Sequence, residues 1–436
     1  MKKLLLISFL IILFQHQTVK AQSTYFPPLS SSATWDTISP ASLGWCANEI
    51  DTLYNFLQQE DTKGFIVLKD GKIVLEKYFG TFTKDSLWYW ASAGKTITSF
   101  LVGKAQEENL LSISDTTSAY LGLGWTSETP AQEEKITIEN QLSMTSGLDD
   151  GVADVFCTLS SCLTYLTNAG NRWAYHNAPY TLLEQVLVAA TGSPINTYTQ
   201  IKLKSQIGMN GAWQTVGSNN VYFSNVRSMA RFGLLAQNKF SWNSNALLSD
   251  LVYINQMTNT SQSMNLSYGY LWWLNGKTSF MLPSTQTVFS GSYAPNAPSD
   301  MFAGIGKNGQ IVSVSPSKGL VVVRMGEAAG NLPVPTQLVD KIWEKLNAVM
   351  CSTTSVENQF KAQKAFSIYP NPAVNSITID VVNDSNFEIY ISDVLGKVIL
   401  SDQNRTTVDV SKLTGGIYYI SVIQEGNYFT QKFTKE

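Results

Sequence analysis

Histidine is nearly absent from this chain. Its 436 residues hold two, His16 and His176. His16 lies in an N-terminal stretch that reads as a removable leader, which leaves His176 alone. A Ser-His-Asp triad needs an imidazole as proton shuttle. Zinc sites draw on several His and Cys together. One histidine and four scattered cysteines argue against both, and no metal or cofactor is called for. Charge is scarce too: 14% of residues, a net of -3 and no basic run. A nucleic-acid surface needs a concentrated basic face, so none is expected. Beyond the leader, no stretch is long and apolar enough for a membrane helix.

What is present is enough for two or three domains. Hydrophobic residues make up 44% of the chain, as in a core-forming globular protein. The 11 Trp and 19 Tyr suggest an aromatic-walled pocket beside ordinary core packing. Residues 1–21 read as a secretory signal. Lys2 and Lys3 form the charged start, Leu4 to Phe14 the apolar run, and Val19-Lys20-Ala21 the cleavage site, so Gln22 begins the mature chain. Export permits disulfides, and four cysteines allow three pairings. Cys157 and Cys162 could staple one loop. Cys46 and Cys351 flank the first and last expected helices and could join if those helices pack side by side. Four free thiols are the alternative.

Periodicity predicts a helix over 48–60 and a hairpin over 64–79 around Asp70-Gly71. A second helix is expected from about Ser92 to Glu108, with Ile97, Phe100, Leu101 and Ala105 on one face. The middle, about 110–260, reads as mostly helical. Strands return over 300–306, 310–315 and 320–325, followed by an amphipathic helix over 335–349. Such an order predicts an α+β fold whose sheet is assembled from both chain ends. The main domain then spans 22–350. A polar linker follows over 351–364. Residues 365–436 carry short alternating strands and read as a small all-β sandwich.

Ser92-Ala93-Gly94-Lys95 is the segment that carries chemistry. At a helix start, backbone N–H groups and the positive dipole end lie near the Ser92 hydroxyl. Lys95, three residues on, shares its face. An amine there can take the hydroxyl proton if its pKa is lowered, and a helix-start N–H can stabilise an oxyanion. Ser315-Pro316-Ser317-Lys318 has the same spacing, but Pro316 belongs to a turn between strands.

Order along the chain gives the motif its meaning. Ser92 and Lys95 come first, then Thr145-Ser146-Gly147-Leu148, then Tyr175-His176-Asn177 leading into Tyr180-Thr181-Leu182-Leu183 and Thr191-Gly192. The set resembles the serine β-lactamase, penicillin-binding-protein and esterase superfamily, where His often stands in place of Met144. The likeness covers about residues 44–350. It implies a β-lactamase/transpeptidase-like antiparallel sheet flanked by helices, with a helical subdomain. By resemblance, Ser92 forms the acyl-enzyme and Lys95 takes or relays its proton. Tyr175 is general base toward Ser92 and then acid to the leaving group. Asn177 binds Lys95 or the substrate carbonyl. An unperturbed phenol is a poor base at neutral pH, so Lys95 and Tyr175 should titrate as a coupled pair. His176 reads as structural or pocket-lining.

The third motif departs from the β-lactamase form. Those enzymes carry Lys-Thr-Gly on a strand lining the site. Lys277-Thr278-Ser279 lies in the wrong place, while 301–310 lies in the right one. That stretch looks like the Gly-rich version in 6-aminohexanoate-dimer hydrolase-like and esterase-like members. Gly304 or Ile305 then gives the second oxyanion N–H. Without the lysine, a fixed cation for a β-lactam carboxylate is missing from the motif, unless Lys307 or Arg172 reaches the pocket.

The C-terminal module resembles the Por (type IX) secretion sorting domain through Tyr369-Pro370-Asn371-Pro372, Asp393-Val394-Leu395-Gly396-Lys397 and Leu413-Thr414-Gly415-Gly416-Ile417-Tyr418. The resemblance implies type IX machinery as a partner and a secreted or cell-surface location. The expectation is a secreted serine hydrolase of small esters or amides. A D-Ala-D-Ala carboxypeptidase or β-lactamase is the alternative within the class, and a catalytically silent binding or adhesion protein the alternative outside it.

Overall fold

A computed structural model describes residues 24–30, 33–328, 332–351, 366–381, 386–393, 398–424 and 427–436. The expected leader, the linker beyond Cys351 and the 394–397 part of one sorting motif lie outside the described residues. The chain divides into two compact units, Met1–Ser352 and Thr353–Glu436.

A six-stranded antiparallel sheet organises the first unit. Its order is Lys72–Tyr78, Thr62–Lys69, Leu320–Gly326, Gln310–Ser315, Phe302–Gly306, Trp273–Leu274. The N-terminal hairpin thus pairs with a strand from the other end of the unit, in the register Phe65↔Arg324 and Val67↔Val322. Phe65–Leu68 and Leu320–Met325 are buried throughout, as strands covered on both faces must be. The helix Val226–Gln237 covers one face, where Gly233 lets it close on Val312 and Val321. Alternation turns Arg324 to the other face, beside Leu338 of the helix Thr336–Val349. That helix packs on Ile50–Gln59, and Cys46–Cys351 bonds the two ends together across 305 residues. In the chain-entropy description such a closure contributes on the order of 5 kcal/mol. Cys157–Cys162 is the second disulfide.

The middle region needs one correction. Besides short helices it holds a three-stranded sheet, Trp88–Tyr89, Asn219–Ser224 and Ala212–Val216. The strands Ala212–Val216 and Asn219–Ser224 form a hairpin, and Trp88–Tyr89, about 130 residues earlier, joins its edge. A small core of Ile136, Leu148, Leu163, Ala178 and Leu182 supports the helical subdomain. The second unit has two antiparallel sheets. One holds Phe366–Tyr369, Ser376–Val381 and Thr407–Asp409; the other holds Val398–Gln403, Phe387–Ser392, Gly416–Gln424 and Asn427–Lys435. Its core includes Ile377, Ile379, Ile389, Ile391, Val408, Ile420 and Phe433.

Candidate active site

Ser92 stands in a 3-10 turn, Ala91–Gly94, and the α-helix proper begins at Lys95. Ala91 takes φ 46°, a left-handed conformation uncommon for alanine. It turns the chain sharply out of the strand Trp88–Tyr89 and presents Ser92 at the head of the helix. Ser92 is half-buried, while Lys95 is buried at 4% exposure. The Lys95 Nζ lies 3.2 Å from Ser92 Oγ and donates to Asn177 Oδ1 at 2.9 Å.

Tyr175 and Asn177 reach this point from the helical subdomain. Asn177 opens a short helix, Asn177–Thr181, and the Ala178 N–H donates to Val155 O. On the other side the Ala174 N–H donates to Met144 O. Tyr175 stacks on Trp273 at 5.8 Å and meets Tyr268 edge-on at 6.1 Å. Its hydroxyl lies near enough to Ser92 for that side chain to act on its acidity. Lys95 Nζ also sits 4.0 Å over the Tyr180 ring and 5.4 Å from that of Tyr175. Ser92, Lys95, Tyr175 and Asn177 are therefore together, although up to 85 residues separate them in the chain.

Burial sets the protonation states. It pushes the Lys95 amine down to about 7. It pushes the Tyr175 phenol above its ordinary value, with Ser92 acting the other way. Both shifts favour a neutral amine beside a neutral phenol, because each charged form loses water on burial. His176 is buried with neither ring nitrogen hydrogen-bonded, and burial pushes it down to about 4 against the pull of Asp150 and Asp149. It is a neutral imidazole at physiological pH.

The strand Phe302–Gly306 passes beneath the Ser92 turn. A Cβ at Gly304 would lie 2.9 Å from Thr96 and 3.1 Å from Ala93 O; one at Gly306 would lie 2.9 Å from Ser92 N. Glycine at both positions lets the turn settle on the strand. Strand parity separates the two oxyanion candidates. Asn275 N donates to Met301 O, so Met301, Ala303 and Ile305 direct their peptide groups toward the strand Trp273–Leu274. Gly304 directs its own toward Val312 on the other side. The register places Leu271 opposite Ile305, but Leu271 turns away at φ 62° and donates to Leu142 O. The Ile305 N–H thus lies on an edge that no strand continues.

The other sequence candidates fall elsewhere. Arg172 pairs with Asp150 at 2.7 Å, which occupies its charge. Lys307 follows the strand and is exposed. Lys277-Thr278-Ser279 leads into a two-stranded hairpin outside the main sheet. Ser315 donates to Asp300. Reasoning from sequence missed Gly306 and Ala91, whose signal is a contact and a dihedral rather than a residue type. Among the described residues, no His, Cys, Asp and Glu group could hold a metal, and no helix is long and apolar enough to cross a membrane.

The family profile described as Beta-lactamase matches residues 56–345, and that of the secretion-system C-terminal sorting domain matches 367–436. No curated protein matches the sequence. Among solved structures, a protein assigned as a 6-aminohexanoate-dimer hydrolase from Bacillus anthracis aligns at a TM-score of 0.55 and 17% identity, over 78% of this chain and 91% of its own. A protein assigned as a beta-lactamase from Bacteroides dorei aligns at 0.56 and 16%, over 71% and 100%. A penicillin-binding-protein homologue from Caulobacter crescentus aligns at 0.54 and 13%, over 70% and 99%. At these identities the likeness is one of fold.

Proposed function

The chain belongs to the beta-lactamase family of serine hydrolases, and on that premise we propose that it cleaves a neutral carboxylic ester or small amide through an acyl-enzyme on Ser92. Its C-terminal sorting domain assigns it to type IX secretion, to the cell surface or beyond. The observation that carries the reading is the buried Lys95 amine, 3.2 Å from Ser92 Oγ and held by Asn177. With its pKa brought to about 7, this amine is a base matched to neutral pH.

In the proposed acylation, Ser92 Oγ attacks the substrate carbonyl carbon while its proton passes to Lys95 Nζ. The carbonyl oxygen gathers negative charge between the N–H groups of Ser92 and Ile305. Tyr175, kept as a phenol by burial, gives its proton to the leaving oxygen or nitrogen and recovers one from the Lys95 ammonium. Lys95 is thus the base, and Tyr175 takes the acid half of the work. Water then repeats the sequence on the acyl-enzyme with the roles reversed. Gly304 approaches the helix start and is not a donor in this scheme.

Charge near the site favours a neutral substrate. A β-lactam carboxylate must lose water on entry, which costs several kcal/mol unless a cation receives it. Arg172 is committed to Asp150, His176 is neutral, and the strand offers Phe302-Ala303-Gly304-Ile305 where a lysine would stand. A fluorophosphonate probe should label the chain, and Ser92→Ala should abolish labelling without unfolding it. A panel then compares kcat/KM for a p-nitrophenyl ester, an aminohexanoate dimer and a chromogenic cephalosporin. Absence of labelling points to a silent binding protein; a cephalosporin value above the other two points to a β-lactamase.

A further inference from the structure

We infer that the leaving group of the substrate is a large apolar one, an ester of a long-chain or aryl alcohol, received by a rim that two loops build around Tyr175 and Asn177. The inference rests on the hydrolase reading above and specifies its substrate.

The segment 173–178 that holds Tyr175 and Asn177 has a loop tied to each end. At the front, Gln286 Nε2 donates to Trp173 O at 3.1 Å. At the back, the Ala178 N–H donates to Val155 O at 3.1 Å. Each loop carries large apolar side chains that face water. Val288 is 56% exposed and Phe289 37% on the first; Phe156 is 41%, Leu159 69%, Tyr165 42% and Leu166 45% on the second. A singly exposed Leu needs no explanation, but six on two loops, each tied to the segment that holds Tyr175 and Asn177, do.

The exposure is enforced by the structure. Cys157–Cys162 closes the tip of the second loop between Phe156 and Leu163. Leu159 stands on this short covalent ring and is the most exposed of the six. Leu166 N and Thr167 N both donate to Gly147 O, which fixes the returning strand of the same loop. On the first loop, Phe289 stacks on Phe280 at 5.2 Å, Phe280 meets Tyr293 at 6.4 Å, Tyr293 meets Trp273 at 6.2 Å, and Trp273 stacks on Tyr175. The rim is thereby braced, ring against ring, on the residue proposed to protonate the leaving atom. That adjacency decides which half of the substrate the rim receives. A proton from Tyr175 reaches the leaving oxygen only if the alcohol lies on the Tyr175 side, and both loops hang from that side.

The test uses the full mature chain and substrates below their aggregation limit. Acetate esters of ethanol, butanol and octanol are compared by acid release, alongside p-nitrophenyl esters of acetic, butyric and octanoic acid. Expected is a rise in kcat/KM with alcohol length, by up to about fourfold per methylene at full burial, and a flatter response to acyl length. Leu159→Ser and Phe289→Ser should each flatten the alcohol series while leaving ethyl acetate turnover unchanged. A flat alcohol series in the wild type overturns the inference, as does a steep one that neither variant alters, or dependence on acyl length alone. Dependence that appears only above the aggregation limit overturns it in favour of docking to a lipid surface. If ethyl acetate is not hydrolysed and Ser92 is not labelled, the hydrolase reading itself fails, which is a separate result.

Discussion

Gly306 lies directly against the backbone of Ser92. A methyl group added to it would sit 2.9 Å from the Ser92 nitrogen and 2.6 Å from Trp90 O. The strand residue therefore bears on the height of the turn that carries Ser92, and with it on the position of the Ser92 N–H.

Gly306→Ala should lower kcat by about a hundredfold or more, the scale of losing one oxyanion donor. The backbone there is extended, at φ -120° and ψ 158°, so alanine meets no conformational strain and the effect is one of contact. KM should change little, while the melting temperature should fall, because the added methyl overlaps backbone atoms that must shift to admit it. Steady-state kinetics with a p-nitrophenyl ester decides the matter; an unchanged kcat would take the Ser92 N–H out of the reaction.

Lys95 and Tyr175 should behave as one proton-transfer unit. Lys95→Ala and Tyr175→Phe should each cut kcat about a hundredfold or more. The double variant should lose far less than the product of the two. Strict additivity would mean that each acts in a separate step. His176→Gln should retain substantial activity, since the buried neutral imidazole touches no reacting group.

The pH profile follows from the shifted amine. Below about 7 Lys95 is protonated and cannot accept the Ser92 proton. kcat/KM for a neutral ester should therefore rise through about pH 7 and stay level to pH 9, because burial holds Tyr175 as a phenol across that range. A fall between pH 7 and 9 would point to a different acid.

Stability carries the opposite mark of the same residue. Between about pH 7 and 10 the unfolded chain keeps the Lys95 proton that the folded chain has lost, so stability rises with pH through that window. Removing the amine should stabilise the protein at neutral pH, with an upper bound of about 5 kcal/mol at about 1.4 kcal/mol per pH unit. Lys95→Met should accordingly melt higher than wild type at pH 7 and be inactive. A lower melting temperature would mean that the Asn177 contact outweighs the cost of burial.

A chain ending at Ser352 should fold and hydrolyse the same ester at a similar rate, since each unit has its own core. It should fail to leave the cell in a host with type IX machinery. Circular dichroism, ester turnover and a secretion assay separate these outcomes. A truncated chain that did not fold would make residues 353–436 part of the hydrolase.

The sequence by itself determined which side chains are the candidates for the reaction. Ser92 and Lys95 are one helical turn apart, a relation local enough to read from spacing. Tyr175 and Asn177 belonged to an ordered set whose resemblance to known enzymes is stronger than any one motif. The apolar run at 320–323 likewise announced a buried strand, because a strand covered on both faces has no polar side to show. Tertiary structure decided what depends on contacts between distant segments. Only strand parity and the departure of Leu271 distinguish Ile305 from Gly304 as a donor. Only packing shows that Gly306 bears on Ser92, and that Cys46 meets Cys351. The strand Trp88–Tyr89 joins the hairpin at 212–224 from about 130 residues away, a pairing that no local window contains. The Lys95 amine is driven toward its neutral form because the fold removes water from it, and solvent exclusion belongs to the folded chain, whereas residue identity and local spacing are already fixed in the unfolded one.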